Sequence, residues 1–482
     1  MKFERRKELM DHILRLESSF PVDKWIVAGI QFWPILKNQI FLYEFKSERH
    51  SKTNAKLSLW KRGMRFVKWK LLIYSYRASL KIKPAQFVFS GAYTHEVKWN
   101  GRLINRYFTP MIEYLKQKNT SAVLVSCNRP MGNEAPQDII EGKMLVDFYK
   151  SKISFQEEWQ SLLKDEEFKK FIQQVEHYFP SYAKVSQTRL SKALLAINAW
   201  KKFYLYLFKQ TNPSVAFGLC YYSNEMFGMN MAAKELGIRS IDMQHGTISQ
   251  LHTAYTFSYL PPTGYHLLPS EFWVWDESTF TYLSRQFASV PSIQVKLSGN
   301  PWLIEATNAQ VYPQLEALDK PMMIYTHQPL RPPLDNYLLE TIAKTKNQYS
   351  WWIRLHPRTT EEERKEIQDL LLKYQLVEFV ELQAASELPL PTLLSKAAVH
   401  LSKFSGSVIE STLMGVPTLI LEEVGLRSFD DLIQEGKAIG LLKPESDQIV
   451  NCLATLVQSK SNLRQLTSFK DSLDKMIKKD SF

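Results

Sequence analysis

The chain has 482 residues, too long for one ordinary core and enough for two or three domains. Apolar residues make up 45% and charged residues 23%, which excludes a disordered chain. A net charge of +12 favours an anionic partner, and three scattered cysteines exclude both a disulfide framework and a thiolate zinc site.

The first residues, MKFERRKELMDHILRLE, are helical in period and too charged for a secretory leader. Residues 25–45 (WIVAGIQFWPILKNQIFLYEF) are the best membrane candidate. Pro34, Lys37, Asn38 and Glu44 are expensive in a bilayer core, so burial in protein is expected. Residues 46–83 hold twelve Lys/Arg and one acid, Glu48, interleaved with Trp60, Phe66, Trp69, Tyr74 and Tyr76. This composition suits a helix lying on anionic headgroups. It equally suits a solvated basic face whose aromatics pack inward.

From residue 86 the pattern alternates. Strands are expected at 86–90, 121–126, 215–219, 239–243, 272–274 and 295–297, with mainly helical sequence over 134–210. Ser298-Gly299-Asn300-Pro301 then leads into a second series, with strands at 322–325, 351–355, 377–380, 398–401, 418–421 and 439–442. Repeated strand and helix predict open, mostly parallel sheets. The expected organisation is a helical N-terminal region (1–85), a first Rossmann-like domain with a helical insertion (86–297), a second such domain (298–445), and C-terminal helices packing back (446–482).

Ligands of open α/β sheets sit at the carboxyl ends of strands, and polar turns recur there. Gln244-His245-Gly246 follows one strand, Gly299-Asn300 a second, Thr326-His327-Gln328 a third and His356-Pro357-Arg358 a fourth. Ser405-Gly406-Ser407 follows AAVHL and opens a helix carrying Glu410 and Ser411. Small residues there let a phosphate approach the backbone N–H groups. The same Ser407-x-x-Glu410 is also the pattern of a capping box, which only secures a helix start. His356 is a donor for phosphate, with Arg358 adding positive potential. His245, His95 and Glu225 are candidates for the base that deprotonates an acceptor hydroxyl. The chain has no GxxxxGK[ST], no strand-borne GxGxxG, no HExxH and no GxSxG, so P-loop, dinucleotide, metalloprotease and serine-hydrolase chemistry are not indicated.

Two consecutive α/β domains, Ser-Gly-Asn-Pro at their crossover and SGSVIESTLMGVPTLIL in the second resemble the GT-B class of glycosyltransferases. AAKELGIRSIDMQHGTIS is similar to the Gln-His-Gly segment of bacterial capsule and surface-polysaccharide glycosyltransferases. RLHPR followed by the Ser-rich turn resembles the His-Pro and Ser motifs of capsule polymerases that use cytidine-monophosphate sugars and of glycerophosphate transferases. The resemblance spans about residues 215–445. It implies two Rossmann-like domains with mostly parallel sheets facing a cleft. It also implies donor-phosphate contacts from His356, Ser405, Ser407 and Ser411, a ribose contact from Glu410, and His245 facing the acceptor. The acidic-acidic-Gly base motif of the capsule enzymes has no counterpart in the first domain, since Glu422-Glu423-Val424-Gly425 lies in the second and is one residue too long.

The expected function is therefore metal-independent transfer of a sugar from a nucleotide donor to a hydroxyl of a bacterial surface glycan. No cofactor is expected beyond the nucleotide-sugar substrate. Expected partners are that donor, a glycan or lipid-linked acceptor, and an anionic membrane met peripherally from the cytoplasm; nucleic acid is not among them. A phosphodiester-forming transferase and a non-catalytic nucleotide-sugar-binding component are the alternatives.

Overall fold

The computed structural model describes residues 2–46, 73–99, 101–128, 139–150, 155–307, 312–458 and 466–479. They divide into two compact units. The first runs from Phe3 to Gly299 and includes the C-terminal segment from Phe469; the second is Asn300–Ser468.

The first unit is built on a seven-stranded parallel sheet. Its strands are β1 (Phe87–Gly91), β2 (Ala122–Ser126), β3 (Ile139–Glu141), β4 (Val215–Leu219), β5 (Arg239–Met243), β6 (Glu271–Val274) and β7 (Gln294–Leu297), in the order β7-β6-β5-β4-β1-β2-β3. The chain enters at β1, extends one way to β2 and β3, then returns to lay β4 on the other side. The direction of winding thus reverses between β1 and β4. The central strands β1 and β4 are apolar runs buried at every position, as the middle of a parallel sheet requires.

Most of residues 25–44 pack into the core of this unit, as expected, with Ile26 and Leu42 left exposed. Helices α1 (Lys2–Ser19) and α2 (Trp33–Lys46) share a core with Trp25, Phe32 and Ile40. Among the described residues no helix is long and apolar enough to cross a membrane. Lys37 and Glu17, both fully buried, pair at 3.1 Å. Lys37 also donates to the Thr256 carbonyl at 2.8 Å, while Trp33 Nε1 and the Ser258 N–H each donate to Glu17 at 2.6 Å. The pair so ties α1 and α2 to the segment after Gln244-His245-Gly246. Most of the basic 46–83 stretch, with Trp60, Phe66 and Trp69, lies outside the described residues. Of its aromatics, Tyr74 is exposed, while the Tyr76 hydroxyl accepts from the Glu141 N–H at 2.8 Å.

The second unit holds a six-stranded parallel sheet. Its strands are β8 (Met322–Thr326), β9 (Ser350–Arg354), β10 (Val380–Glu381), β11 (Ala397–Ser402), β12 (Thr418–Ile420) and β13 (Ala438–Gly440), in the order β10-β9-β8-β11-β12-β13. Winding reverses here between β8 and β11. The helix Ser446–Gln458 packs into this unit's core through Ile449 and Leu453, whereas Phe469–Lys479 packs on Phe108–Gln117 of the first unit.

The structure corrects several local expectations. Ile139–Glu141 is a strand inside a stretch read as helical, because its backbone completes the edge of the sheet beside β2. Residues 377–379 form a single 3₁₀ turn and only Val380–Glu381 pairs. Glu96–Trp99 and Arg102–Asn105 form an antiparallel ribbon between the expected strands at 86–90 and 121–126. The Ser407–Glu410 capping box does not form. The helix Ser407–Leu413 (α3) is capped by Gly406 without a side-chain bond, because the Ser407 hydroxyl is drawn inward.

Candidate functional site

In the first unit, the loop after β1 and the turn after β4 flank the point of reversal. His95, on a 3₁₀ turn after β1, is 8% exposed, and its ring lies 5.6 Å from that of His245. Tyr107 fills the space beside both: its ring is 5.8 Å from His95, and its hydroxyl donates to the His245 carbonyl at 3.2 Å. The turn after β4 supplies Cys220, whose Sγ is 2.9 Å from His245 Nε2, and Tyr222, whose hydroxyl is 3.4 Å from the same nitrogen. Glu225 is half-buried in the first turn of the helix Asn224–Glu235, and its charge acts on Cys127, Tyr204 and Cys220. The structure thus brings His245 and His95 together and leaves Glu225 on their flank.

Burial holds these imidazoles neutral. It pushes His95 down to about 3, helped by His245 and Arg106, and His245 down to about 4. Behind them Asp242 is 2% exposed and accepts from the Tyr221 N–H at 3.0 Å and the Tyr255 hydroxyl at 2.9 Å. Burial raises its carboxyl to about 8. Gln244 is a clamp: its Oε1 accepts from the Trp275 N–H at 2.8 Å and its Nε2 donates to the Gly246 carbonyl at 3.1 Å. Within Gln-His-Gly, then, the glutamine shapes the turn and the histidine is the residue at its tip. Gly299, at φ +70°, turns the chain out of β7, where an L side chain would be strained.

In the second unit, Thr326 ends β8 and Ser402 ends β11, the two strands at the reversal. Thr326 Oγ1 lies 2.9 Å from Ser402 Oγ, 2.9 Å from Ser407 Oγ and 3.0 Å from His400 Nε2. All four residues are buried. Thr326 and Ser407 therefore shape the turn from beneath. Ser411 is also fully buried, its hydroxyl donating to the Val408 carbonyl at 3.0 Å and meeting Thr418 Oγ1 at 2.7 Å. Of the remaining turn residues, Gly406 is exposed, and Ser405 is half-buried with its Oγ accepting from the Ser407 N–H at 3.3 Å. Glu410 is half-buried in the first turn of α3. The turn is held close to the next helix: a Cβ on Gly425 would stand 1.8 Å from the Lys403 carbonyl oxygen.

His356 is half-buried after β9, and its Nδ1 accepts the Arg358 N–H at 3.0 Å. Its neutral ring therefore carries the proton on Nε2, as a phosphate donor must. Arg358 is exposed beside it, while Arg354 is spent on the Ala385 and Leu388 carbonyls. His327, directly after Thr326, is 2% exposed, and among the described residues neither ring nitrogen has a hydrogen-bond partner. Burial pushes it down to about 4, and the charges of Glu363 and Lys403 act on it. Lys403, nearly buried, pairs with Asp335 at 2.6 Å.

The sequence marked the Thr326-His327-Gln328 turn without giving His327 a role, and it did not single out His400, Lys403, Cys220 or Tyr222. A histidine inside the apolar strand AAVHL was the available signal, because a buried polar side chain needs a partner. Among the described residues no group of three or more His, Cys, Asp or Glu is placed to hold a metal ion.

Two Rossmann-type units, each with polar side chains gathered where its winding reverses, define the fold as that of the GT-B class. No protein-family model matches the chain, and neither does any curated protein. Solved structures do. The UDP-GlcNAc 2-epimerase of Neisseria meningitidis, bound to UDP-GlcNAc, aligns with a TM-score of 0.52 at 16% identity, over 81% of this chain and 98% of its own. A second UDP-N-acetylglucosamine 2-epimerase aligns at 0.50 and 10% identity, over 81% and 93%. The glycotransferase of kitacinnamycin aligns at 0.44 and 10% identity, over 78% and 91%. The likeness is one of fold.

Proposed function

We propose that the chain is a glycosyltransferase that moves a sugar from a nucleotide-activated donor to a hydroxyl of a bacterial surface polysaccharide, with no cofactor. One observation carries the nucleotide side of this reading. At the reversal of the second sheet, His327 is buried, and among the described residues neither ring nitrogen has a hydrogen-bond partner of good geometry, although the Pro333 carbonyl favours a proton on the ring. Leaving a buried polar group unpaired costs about 1–3 kcal/mol, and a bound donor that supplied a partner would recover it. His356 Nε2–H, Ser405 and the Gly406 backbone would hold the departing phosphate, with Arg358 adding charge and Glu410 meeting the ribose.

In the reaction, the acceptor hydroxyl gives its proton to His245 Nε2 while its oxygen bonds to the anomeric carbon. The bond from that carbon to the donor phosphate breaks, and the electron pair leaves with the phosphate. His95 and Glu225 flank this base. A preorganised donor such as His356 is typically worth about 2.7–4 kcal/mol, so His356→Ala should lower turnover by roughly 10²–10³-fold. Near wild-type turnover would remove that assignment.

The fold likeness to UDP-GlcNAc 2-epimerases favours a second reading, epimerisation of the donor itself. A thermal-shift panel of UDP, CDP, CMP and GDP comes first, and no shift with any of them would defeat both readings. The sugar nucleotide of the best base is then incubated with and without acceptor glycan. Transfer needs the acceptor, whereas epimerisation proceeds without it. Phosphorus entering the product would instead point to a phosphodiester-forming transferase. Contact of the basic 46–83 segment with anionic membrane belongs to the proposal too. It predicts vesicle binding that needs anionic lipid and weakens with salt.

A further inference from the structure

Asp335 opens the helix Asn336–Thr345 in the backbone conformation of a helix cap (φ −82°, ψ 150°), yet its side chain makes no capping bond. Elsewhere in the chain, Asp165, Ser223, Asp276 and Thr360 start helices from extended backbone, and each accepts the N–H three residues on. At Asp335 the Leu338 N–H falls back on the backbone carbonyl, at 3.1 Å. The carboxylate is turned instead to Lys403 Nζ, 2.6 Å away, and the Tyr337 hydroxyl reaches it too. A tertiary charge has drawn this side chain off its local partner, and that partner is still within reach.

Lys403 stands at the carboxyl end of the sheet. The register Thr326↔Ser402 sets the residues that follow, His327 and Lys403, side by side. The His327 N–H donates to the Arg354 carbonyl at 2.9 Å, which joins this pair to the end of β9, two residues before His356. The charges of Lys403 and His356 both act on His327. The backbone of Lys403 is fixed: the Phe404 N–H donates to Gln328 Oε1 at 3.0 Å, and the Lys403 carbonyl leaves no room for a β-carbon on Gly425. The ammonium, by contrast, sits on a flexible stem. Its side chain is 6% exposed, and a cation that buried needs an anion.

We propose that Lys403 is a phosphate ligand of the nucleotide site and that Asp335 is the internal anion standing in for that phosphate. A nucleotide phosphate takes over the ammonium, and the released carboxylate turns back to cap its own helix. The inference rests on the nucleotide-binding half of the transferase reading. The exchange keeps every charge paired. Lys403 trades one anion for another, and Asp335 moves away from the incoming phosphate to a helix N-terminus, where negative charge is favoured. Asp335 thus competes with the nucleotide for Lys403.

That competition gives the two partners opposite effects on binding. The best binder among UDP, CDP, CMP and GDP is titrated calorimetrically into the full chain and two variants. Asp335→Asn keeps a residue that caps helices well and removes the competing charge, so the nucleotide should bind more tightly. Lys403→Gln removes a charged partner of the phosphate, so binding should weaken by roughly 10–100-fold. An ion pair with only a structural role predicts the same sign from both variants, since each breaks it. Unchanged or weaker binding in Asp335→Asn overturns the proposal, and so does unchanged affinity in Lys403→Gln. Should Lys403→Gln not fold, Asp335→Asn decides alone. Wild-type protein that binds none of the four nucleotides defeats the nucleotide reading and the proposal with it. Wild-type binding that both variants weaken defeats the proposal only.

Discussion

Thr326 Oγ1 lies 3.0 Å from His400 Nε2, joining the ends of the two strands between which the second sheet reverses. The same hydroxyl meets Ser402 and Ser407, so one threonine ties β8, β11 and the first residue of α3 together beneath the Ser405-Gly406 turn. Thr326→Val keeps the shape and removes the hub. Three buried polar groups would each lose a bond, and one unsatisfied group costs about 1–3 kcal/mol. Urea denaturation should show a loss of at least that size, and the nucleotide-induced thermal shift should shrink because the turn is no longer held. An unchanged urea midpoint would show that the hydroxyl is not the hub.

Sequence and structure part company at this same residue cluster. Ser407-x-x-Glu410 matches a capping box on local pattern alone, and helix α3 does start there. The hydroxyl's partner, however, is 81 residues away in sequence, and a tertiary bond of that span leaves no local trace. The Thr360/Glu363 pair shows the contrast: with no competing partner, it forms the capping box in full. The alternating strands, the turns at their ends and the Gln244-His245-Gly246 tip were legible because periodicity and turn residues are local properties. The left-handed Cys220, at φ +60°, was not, since nothing in GLCYYS marks it. Helices 446–458 and 469–479 carry similar amphipathic patterns, and only tertiary packing sends one to each unit.

The buried Glu17–Lys37 pair predicts an asymmetric response to mutation. Lys37→Met leaves Glu17 charged and buried, and removing one partner of such a pair typically costs about 3–5 kcal/mol. Lys37→Met combined with Glu17→Gln should recover much of that loss. The glutamine's one oxygen can accept from Trp33 or from Ser258, which meet different oxygens of Glu17, so the recovery is partial, but no bare charge remains. Chemical denaturation of the two variants checks the order. A double variant less stable than Lys37→Met would show that the ion pair itself, and not the uncompensated charge, dominates.

Stability should have a maximum near pH 6.5. Burial holds His95 and His400 down to about 3 and His327 to about 4, against an ordinary 6.5. The unfolded chain binds protons there that the folded chain refuses. Their contribution is therefore fully present above pH 6.5 and lost as pH falls toward 4. Asp242 acts in the opposite sense. Raised from 3.8 to about 8, it keeps a proton in the folded state after the unfolded state has released it, so its contribution is lost as pH rises toward 8. Thermal midpoints measured from pH 4 to 9 should climb to about 6.5 and then decline, and Asp242→Asn should flatten the alkaline limb. An alkaline limb identical in that variant would place the titration elsewhere.

His327 offers the sharpest test, because stability and binding should move in opposite directions. Among the described residues its buried imidazole has no well-formed hydrogen bond at either nitrogen, and an unsatisfied buried group costs about 1–3 kcal/mol. His327→Leu replaces it with an apolar side chain that has no polar atoms to satisfy, so the free protein should become more stable. The same change removes the group that a donor would engage, so the nucleotide-dependent rise in thermal midpoint should vanish. Natural proteins tolerate such strain where function requires it, and relieving it commonly costs activity. Calorimetry of free and nucleotide-saturated protein reads both effects in one pair of scans. A variant that is both less stable and still bound by nucleotide would mean that His327 is an ordinary packing residue, and the donor site would then have to be sought elsewhere in the unit.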